Sequence, residues 1–150
     1  MHPMKAALLI LMAGLMTGCA SLGGGASAKE GVQVEYLEIV TPDVDATCDA
    51  LAKLHGVEFS APVPEFGNAR TTTLSSGGRI GVRAPMAAHE TATVRPYVLV
   101  DDLEAATAAA EAAGGEIAVA GMELPGQCKI SIYILGGIQH GLWQNLVETE

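Results

Sequence analysis

Two stretches of the chain share one pattern of apolar and polar positions. Residues 34–59 read VEYLEIVTPDVDATCDALAKLHGVEF, and residues 94–119 read VRPYVLVDDLEAATAAAEAAGGEIAV. A shift of 59 positions brings Asp43 onto Asp102. In each copy, a run rich in β-branched and aromatic residues predicts a strand, and the following run has apolar residues at helical spacing. The pattern therefore predicts a duplicated strand–helix unit, with first strands over residues 34–40 and 94–100.

Both predicted helices have start and stop signals. Asp43 precedes the first helix, and Asp101 or Asp102 precedes the second. A carboxylate at this place caps free backbone N–H groups and meets the positive end of the helix dipole. We therefore expect the helices to begin after these residues. We expect them to end at Gly56 and Gly114-Gly115, because a left-handed residue is needed there.

The first helix has an apolar face that predicts which of its residues are buried. The face consists of Val44, Thr47, Cys48, Leu51 and Leu54. Cys48 is therefore expected to be a buried, unreactive thiol. Cys128 falls in a predicted loop, and we expect no disulfide between the two cysteines.

The rest of the repeated region predicts shorter strands and irregular connections. The strands are expected over residues 70–74, 79–83, 130–135 and 141–147, with hairpin turns at Gly77-Gly78 and Gly136-Gly137. Segments 61–67, 84–93 and 120–127 contain Pro and Gly and are predicted to be irregular.

Composition narrows the function classes. The chain has 150 residues, which fits one domain. Its 17 acidic and 8 basic residues give a net charge of −9, so no basic surface is left to neutralise phosphates, and nucleic-acid binding is excluded. Charged residues make up only 17% of the chain, which excludes a largely disordered protein, and three cysteines cannot form a disulfide scaffold.

The first 31 residues look like a targeting segment. Lys5 is followed by the apolar run AALLILMAGLM at residues 6–16, which is too short to span a membrane and fits a secretory signal. Thr17-Gly18-Cys19 then resembles the lipobox of bacterial lipoproteins, with Met16 at the place usually taken by Leu. An ordinary cleaved signal is the alternative.

The lipobox resemblance implies a domain organisation and a location. Residues 1–18 would be the signal peptide, Cys19 would be acylated, with palmitate among its acyl chains, and residues 19–31 would form a Gly-rich flexible tether. Several acyl chains on one residue anchor a protein stably in a membrane. Ser21 is not the Asp that favours inner-membrane retention in that family. We therefore expect an outer-membrane lipoprotein that faces the periplasm.

The folded part, residues 32–150, resembles the vicinal oxygen chelate superfamily, which has the glyoxalase and bleomycin-resistance fold. The likeness lies in the pieces VEYLEIVTPDVDA, GNARTTTL, GVRAPM, RPYVLVDDLEAA and GGIQHGLWQ. It implies an α+β fold in which two βαβββ modules, about residues 32–86 and 92–150, form a curved mixed sheet with a central cleft. This fold hosts lyases, isomerases, dioxygenases and binding proteins, so the resemblance does not fix an activity.

The resemblance also implies where a metal would bind. In metal-dependent members, ligands come from the first and last strands of each module. Here those places fall on Tyr36 and Arg95, on Val82 or Arg83, and on Trp143 or Gln144. Because the likeliest set (Tyr36, Arg83, Arg95 and Gln144) contains no good ligand, we predict no metal cofactor. A divalent metal held by a His140–Glu38 pair is the alternative.

Arginines and aromatic residues on predicted strands suggest a different kind of site. Arg70, Arg83 and Arg95 are costly to bury unpaired, so they either bridge to Glu35, Glu38 or Glu123 or hold a ligand carboxylate or enolate in the cleft. Aromatic residues on strands fit either core packing or a small-molecule pocket. The candidate ligand-binding residues are Tyr36, Arg83, Arg95, Tyr97, Tyr133, His140, Trp143 and Gln144.

Three hypotheses about function follow from the sequence. The first is a lipid-anchored binding protein that holds a small anionic organic ligand without a metal. The second is an envelope interaction protein whose cleft is filled by side chains. The third is a metal-dependent enzyme of the lyase, dioxygenase or hydroxylase kind. We favour them in this order. The sequence does not decide whether the protein is an enzyme, but it favours a protein without catalytic activity. A homodimer is a possible assembly.

Overall fold

The structure, a computed structural model, describes residues 31–146. The predicted signal peptide, Cys19 and residues 20–30 of the tether lie outside the described residues. The elements in chain order are β1 (Val34–Val40), α1 (Val44–His55), a 3-10 turn (Pro64–Phe66), β2 (Arg70–Thr73), β3 (Arg79–Arg83), β4 (Thr93–Leu99), α2 (Leu103–Ala112), β5 (Glu116–Leu124), β6 (Cys128–Leu135) and β7 (Ile138–Asn145). Neither of these helices is long and apolar enough to cross a membrane.

Seven strands form one mixed sheet in the order β2-β3-β1-β4-β7-β6-β5. The two copies of the repeated unit meet at the centre, where β1 and β4 pair antiparallel and Glu38 lies opposite Arg95. In each copy the first strand also pairs in parallel with the last one, β1 with β3 and β4 with β7. The predicted α+β class and curved mixed sheet are confirmed.

The two modules differ in strand number. The second has the predicted four strands, whereas the first has three, because the segment after α1 contributes only an isolated bridge between Val63 and Ala69. The 3-10 turn Pro64–Phe66 follows Val63 and places Phe66 in the core. The missing strand thus leaves a short turn that lines one side of the cleft.

Some predicted boundaries are wrong. β5 continues to Leu124 through a segment that was expected to be irregular, and its register shifts between Val119 and Met122. Gly121 lies in this bulge with φ +62°, a conformation that favours glycine. Cys128 is not in a loop but begins β6, where it is fully buried. The predicted end of the last strand, Val147, lies outside the described residues.

The helix signals are confirmed in part. The Asp102 carboxylate accepts a hydrogen bond from Ala105 N at 3.0 Å, as an N-cap should. Asp43 occupies the same position of α1, but its side chain makes no capping bond. Cys48 is buried as predicted, whereas Leu54, in the last turn of α1, is 74% exposed. Both described cysteines are free thiols.

The sheet has two faces with different neighbours. We call the face that carries Tyr36, Tyr97 and Trp143 the cavity face, and the opposite face the helix face. Helix α2 packs against β5, β6 and β7 on the helix face. Because side chains alternate along a strand, each strand contributes every second residue to the cavity face. The buried core on that face consists of Tyr36, Phe66, Ala69, Tyr97, Cys128, Ile130 and Trp143.

Candidate functional site

A cavity of about 380 Å³ lies on the cavity face of the sheet. Its apolar wall is formed by Phe66, Met86, Met122, Leu124, Ile130 and Ile132. Met86 and Met122 are 69% and 44% exposed, so they mark the side on which the cavity opens to solvent. Because unbranched Met side chains adapt to irregular shapes, this rim can adjust to a ligand.

An aromatic cluster forms the base of the cavity. The Tyr36 ring centroid lies 5.3 Å from that of Phe66, 5.5 Å from that of Trp143 and 5.7 Å from that of Tyr97. The Arg79 guanidinium lies 5.3 Å from the Phe66 centroid and 5.5 Å from the Trp143 centroid, within the range of a cation–π contact. The base is thus a tightly packed surface of ring atoms.

Two glycines make room for the tyrosine rings. A Cβ added at Gly81 would lie 1.8 Å from the Tyr36 hydroxyl oxygen, and one added at Gly141 would lie 2.1 Å from Tyr97 Cδ1. Gly81 pairs with Glu38 of β1 and Gly141 with Tyr97 of β4, so the two glycines occupy corresponding places in the two modules. Each tyrosine therefore lies across the neighbouring strand because that strand has no side chain there.

A buried network of charges closes one end of the cavity. The Arg83 Nε donates to Glu38 Oε1 at 2.6 Å, and its two terminal nitrogens donate to the two Glu90 carboxylate oxygens at 2.9 and 2.7 Å. Met86 N also donates to Glu90, at 2.7 Å. Arg83 is only 2% exposed, so this pairing offsets the cost of burying its charge.

Arg95 forms the other half of the network. It donates to the second oxygen of Glu38, and its Nε donates to Gln139 Oε1 at 2.9 Å. The Tyr97 hydroxyl donates to the same Glu38 oxygen at 3.4 Å. We call Glu38, Arg83, Glu90 and Arg95 the ion quartet. Its two positive and two negative charges cancel, so no net charge is offered to a ligand.

Burial and charge pairing shift the pKa values of Arg83, Glu90 and the neighbouring Tyr97. Hydrogen bonds from Arg83 are the largest influence on Glu90 and hold its pKa at about 2. Burial lowers the pKa of Arg83, but hydrogen bonds to Glu90 and Glu38 more than offset it, so the net pKa is raised. Burial, and then the charge of Glu38, raises the pKa of Tyr97 to about 12. Arg83, Glu90 and Tyr97 therefore keep fixed protonation states at neutral pH.

The low pKa of Glu90 predicts how stability depends on pH. A carboxyl whose pKa falls from 4.5 unfolded to about 2 folded stabilises the fold fully above pH 4.5 and loses that contribution as the pH falls towards 2. The stability advantage of the wild type over Glu90→Gln should therefore shrink across this window in denaturant unfolding. Glu58→Gln, at an exposed position, is the control. If the advantage stayed constant from pH 6 to pH 2, the contribution of Glu90 to stability would not depend on its negative charge.

One polar group in the site has no partner. The hydroxyl of Tyr36 is buried and makes no hydrogen bond to any residue within 31–146. Burial, followed by the charge of Glu38, raises the pKa of Tyr36, so this hydroxyl stays protonated. A buried, unpaired hydroxyl is destabilising, since it has lost its bonds to water without replacement.

The structure brings together five of the eight candidate site residues. The cavity is lined by Tyr36, Arg83, Arg95, Tyr97 and Trp143. The other three do not line it. Tyr133 and His140 stack on each other with ring centroids 5.2 Å apart, and Gln144 accepts a hydrogen bond from Leu103 N at the start of α2. These three lie on the helix face because each is an odd number of residues from its strand's cavity-facing positions.

Several site residues were not predicted or were given another role. The sequence allows two roles for Glu38, an ion-pair partner of an arginine or a metal ligand. In the structure it forms ion pairs with both Arg83 and Arg95. Glu90 and Gln139 were missed. Arg83 and Arg95 lie on the two strands that flank β1, and two buried arginines require two acids, which is the signal that could have indicated Glu90. Phe66 was also missed, since an aromatic residue in a Pro- and Gly-containing loop has no distinguishing pattern.

The remaining predicted pairings differ from the structure. Arg70 pairs with Asp45 at 2.9 Å, and not with Glu35, Glu38 or Glu123. This pair lies at the surface, with the Asp45 side chain 88% exposed, so it contributes little to stability. Arg70 therefore takes no part in the cavity.

The side chains at the places implied for a metal do not fit one. Arg83 and Arg95 are cations that donate hydrogen bonds, and Trp143 offers an N–H donor only. His140 stacks on the helix face while Glu38 faces the cavity, so the alternative His140–Glu38 pair does not form. Within residues 31–146, no three His, Cys, Asp or Glu side chains form a group that could hold a metal ion.

Comparison with solved structures agrees with the fold. A hypothetical protein from Bacillus halodurans C-125 superposes with a TM-score of 0.64 at 7% sequence identity, over 81% of this chain and 99% of that one. Methylmalonyl-CoA epimerase from Mycobacterium tuberculosis matches with a TM-score of 0.59 at 13% identity, over 77% and 89%. A Streptomyces coelicolor methylmalonyl-CoA epimerase variant in complex with 2-nitronate-propionyl-CoA matches with a TM-score of 0.57 at 18% identity, over 79% and 98%.

These likenesses define the fold class. Methylmalonyl-CoA epimerase is a member of the vicinal oxygen chelate superfamily, and this chain has the glyoxalase-like fold of that superfamily. No protein-family model matches the sequence, and no curated protein matches it. At identities of 7–18% the structural likeness concerns the fold alone.

Proposed function

We propose that the protein binds a small, uncharged and largely apolar organic molecule in the cavity, without a metal ion. The observation that carries this proposal is the open cavity of about 380 Å³, which lies in the size range of small-molecule sites, about 300–1,000 Å³. An interaction protein with a filled cleft would have no such space. The apolar wall and aromatic base supply the contact surface, and burial of apolar area supplies the driving force.

The ion quartet supports an uncharged ligand rather than the anion that the sequence suggested. Both guanidinium groups are already bound by Glu38, Glu90 and Gln139. An anion would have to displace these partners, and each displaced carboxylate would remain buried without its counter-charge. An anionic ligand is therefore the competing proposal, and a matched pair of probes separates the two.

The probes are N-phenyl-1-naphthylamine, which is uncharged, and 8-anilinonaphthalene-1-sulfonate, which has the same ring system plus a sulfonate. Gly31–Glu150 forms a compact unit, so a fragment of these residues is used to avoid detergent. We expect the uncharged dye to bind with at least tenfold higher affinity, measured by fluorescence titration. Tighter binding of the sulfonate would favour the anionic ligand, and binding of neither dye would contradict the proposal.

A variant at the rim locates the binding. Met122→Trp adds bulk at the mouth of the cavity, at a position exposed enough to tolerate it. We expect it to weaken binding of the uncharged dye at least tenfold. Leu135→Trp, at a position 41% exposed that does not line the cavity, is the matched control and should leave the affinity unchanged. Equal effects of the two variants would place the dye elsewhere.

The metal-free part of the proposal predicts the response to metal ions. Because the quartet places two cations where a metal would lie, added divalent Fe, Mn, Zn or Ni should not raise the melting temperature. A ligand that binds only the native state stabilises it by about 2.7 kcal/mol at a hundredfold excess over its Kd, which a thermal melt detects. A clear rise that disappears in Glu38→Gln would instead support a metal-dependent lyase or dioxygenase.

We also propose that a lipid on Cys19 anchors the protein in the bacterial envelope, on the periplasmic side of the outer membrane. The support is the order of Lys5, the apolar run at residues 6–16 and the lipobox-like Thr17-Gly18-Cys19. These residues lie outside the part that the structure describes. The acidic body adds no attraction to anionic lipids, so the lipid would provide the anchoring.

If a lipid on Cys19 anchors the protein, replacing this cysteine should change the cell fraction in which the protein is found. Cys19→Ala should move the protein from the membrane pellet to the soluble fraction, or leave it unprocessed with its signal retained, and immunoblot size separates these two results. Ser21→Ala, two residues after the cysteine, is the control and should pellet like the wild type. A Cys19→Ala protein that is processed and still pellets fully would contradict lipidation.

A further inference from the structure

A second cavity adjoins the first one on the same face of the sheet. It measures about 530 Å³ and shares Met86 and Arg95 with the cavity described above. Polar and apolar groups contribute about equally to its wall, whereas the wall of the first cavity is mainly apolar. We call it the polar cavity.

Strands β4 and β7 run from one cavity to the other. Along β4, Thr93 lines the polar cavity, Arg95 lines both, and Tyr97 lines the first cavity. Along β7, Gln139 lines the polar cavity and Trp143 the first. These residues alternate onto one face, so the two cavities form consecutive parts of one surface. From Thr93 to Tyr97 the distance is about 13 Å, at about 3.3 Å per residue of a strand.

The side chains that line both cavities are Met86 and Arg95, a member of the ion quartet. Met86 is 69% exposed and flexible, so it leaves a path over its side chain. The quartet is held by bonds from both modules and stays in place. A ligand that fills both spaces would therefore pass over Met86 and not through the quartet.

The groups that line the polar cavity indicate which chemistry it accepts. Its charged residues Glu90 and Arg95 are engaged in the quartet. Within residues 31–146, the hydroxyls of Thr91 and Thr93 and the amide nitrogen of Gln139 make no hydrogen bond, so they are free to bind a ligand. Together with the His89 imidazole, which also lines this cavity, these hydroxyl and amide groups suit an uncharged group rich in hydrogen-bonding atoms.

We propose that the polar cavity is a second subsite, which binds an uncharged hydroxylated or amide head group of an amphipathic ligand. The apolar tail of that ligand would lie in the first cavity. The inference thus rests on the proposed function and adds the ligand class: a molecule at least about 13 Å long, apolar at one end and polar but uncharged at the other.

The test compares n-octanol with n-octyl-β-glucoside below its micelle concentration. The two share a tail and differ in the hydroxylated head. Both compete with N-phenyl-1-naphthylamine on the fragment of residues 31–150, and displacement gives each Kd. We expect the Kd of the glucoside to be about tenfold lower, which corresponds to about 1.4 kcal/mol. Equal Kd values would overturn the second subsite while dye binding still supported the first.

Two variants test whether the higher affinity of the glucoside comes from the polar cavity. Thr93→Val removes a hydroxyl with little change of shape, and it should reduce the advantage of the glucoside to about threefold without changing the Kd of octanol. Thr73→Val on β2, outside both cavities, is the control and should preserve the advantage. An unchanged advantage in Thr93→Val, or an equal loss in both variants, would overturn the inference. Failure of the dye to bind would overturn it together with the proposed function.

Discussion

Glu38→Gln is expected to lower the free energy of unfolding by about 3–5 kcal/mol, the range found when one partner of a buried ion pair is removed. Glu38 accepts hydrogen bonds from Arg83, Arg95 and Tyr97. The amide of Gln would leave two guanidinium groups, 2% and 5% exposed, with only the Glu90 carboxylate between them. The excess positive charge then remains buried, and this cost appears in full as lost stability.

The control is Glu35→Gln, on the same strand but outside the ion quartet. Glu35 accepts one hydrogen bond, from the exposed Gln33 side chain, so its loss should cost well under 1 kcal/mol, as for exposed polar groups in general. A comparable loss in both variants would show that Glu38 has no special role. Urea unfolding of both variants at pH 7 gives the comparison.

A double-mutant cycle tests the same idea without relying on a single variant. Because Arg95 is destabilising when Glu38 is neutral, Arg95→Gln should cost markedly less in the Glu38→Gln background than in the wild type. Additive losses would mean that the two residues act independently. The cycle therefore separates an electrostatic network from two unrelated packing defects.

The fold could be predicted from the sequence because its repeated elements carry strong local signals. Alternation in the first strand of each module and Asp102 at the start of α2 gave correct elements. The extent of strand β5 was not predicted because Gly121 interrupts the alternation with a bulge, so the two halves of the strand have different registers. The exposure of Leu54 could not be predicted either, because a helical pattern defines an apolar face but not which of its residues the tertiary structure covers.

Site residues could be predicted only where the alternation of side chains along a strand shows which face each residue is on. Tyr36, Arg95 and Tyr97 follow β1 and β4, whose faces are defined by alternation, and all three line the cavity. Trp143 and Gln144 are neighbours on β7 and therefore lie on opposite faces of the sheet, and the sequence does not show which of them faces the cavity. In the structure, Gln144 lies on the helix face. Glu90 comes from a loop without a pattern, so its contact with Arg83 could be found only in three dimensions.

Tyr36→Phe is expected to raise the free energy of unfolding, by about 1 kcal/mol or more, although it removes a polar group from the candidate site. Leaving a buried donor or acceptor unpaired costs about 1–3 kcal/mol. The Tyr36 hydroxyl is in this state within residues 31–146, and it lies against Gly81, where even a Cβ would not fit. Phe keeps the ring contacts with Trp143 and Phe66 and removes the unpaired oxygen.

The matched control is Tyr97→Phe, because Tyr97 lies on the same face and its hydroxyl has partners. That hydroxyl donates to Glu38 at 3.4 Å and accepts from Arg95 at 3.5 Å. Its removal should lower the free energy of unfolding by about 1 kcal/mol, as for a typical hydrogen bond. Thermal and urea unfolding should therefore give shifts of opposite sign for two chemically identical substitutions. A loss of stability in both would mean that Tyr36 has a hydrogen-bond partner, and the cavity base would then hold a paired polar group instead of an apolar surface.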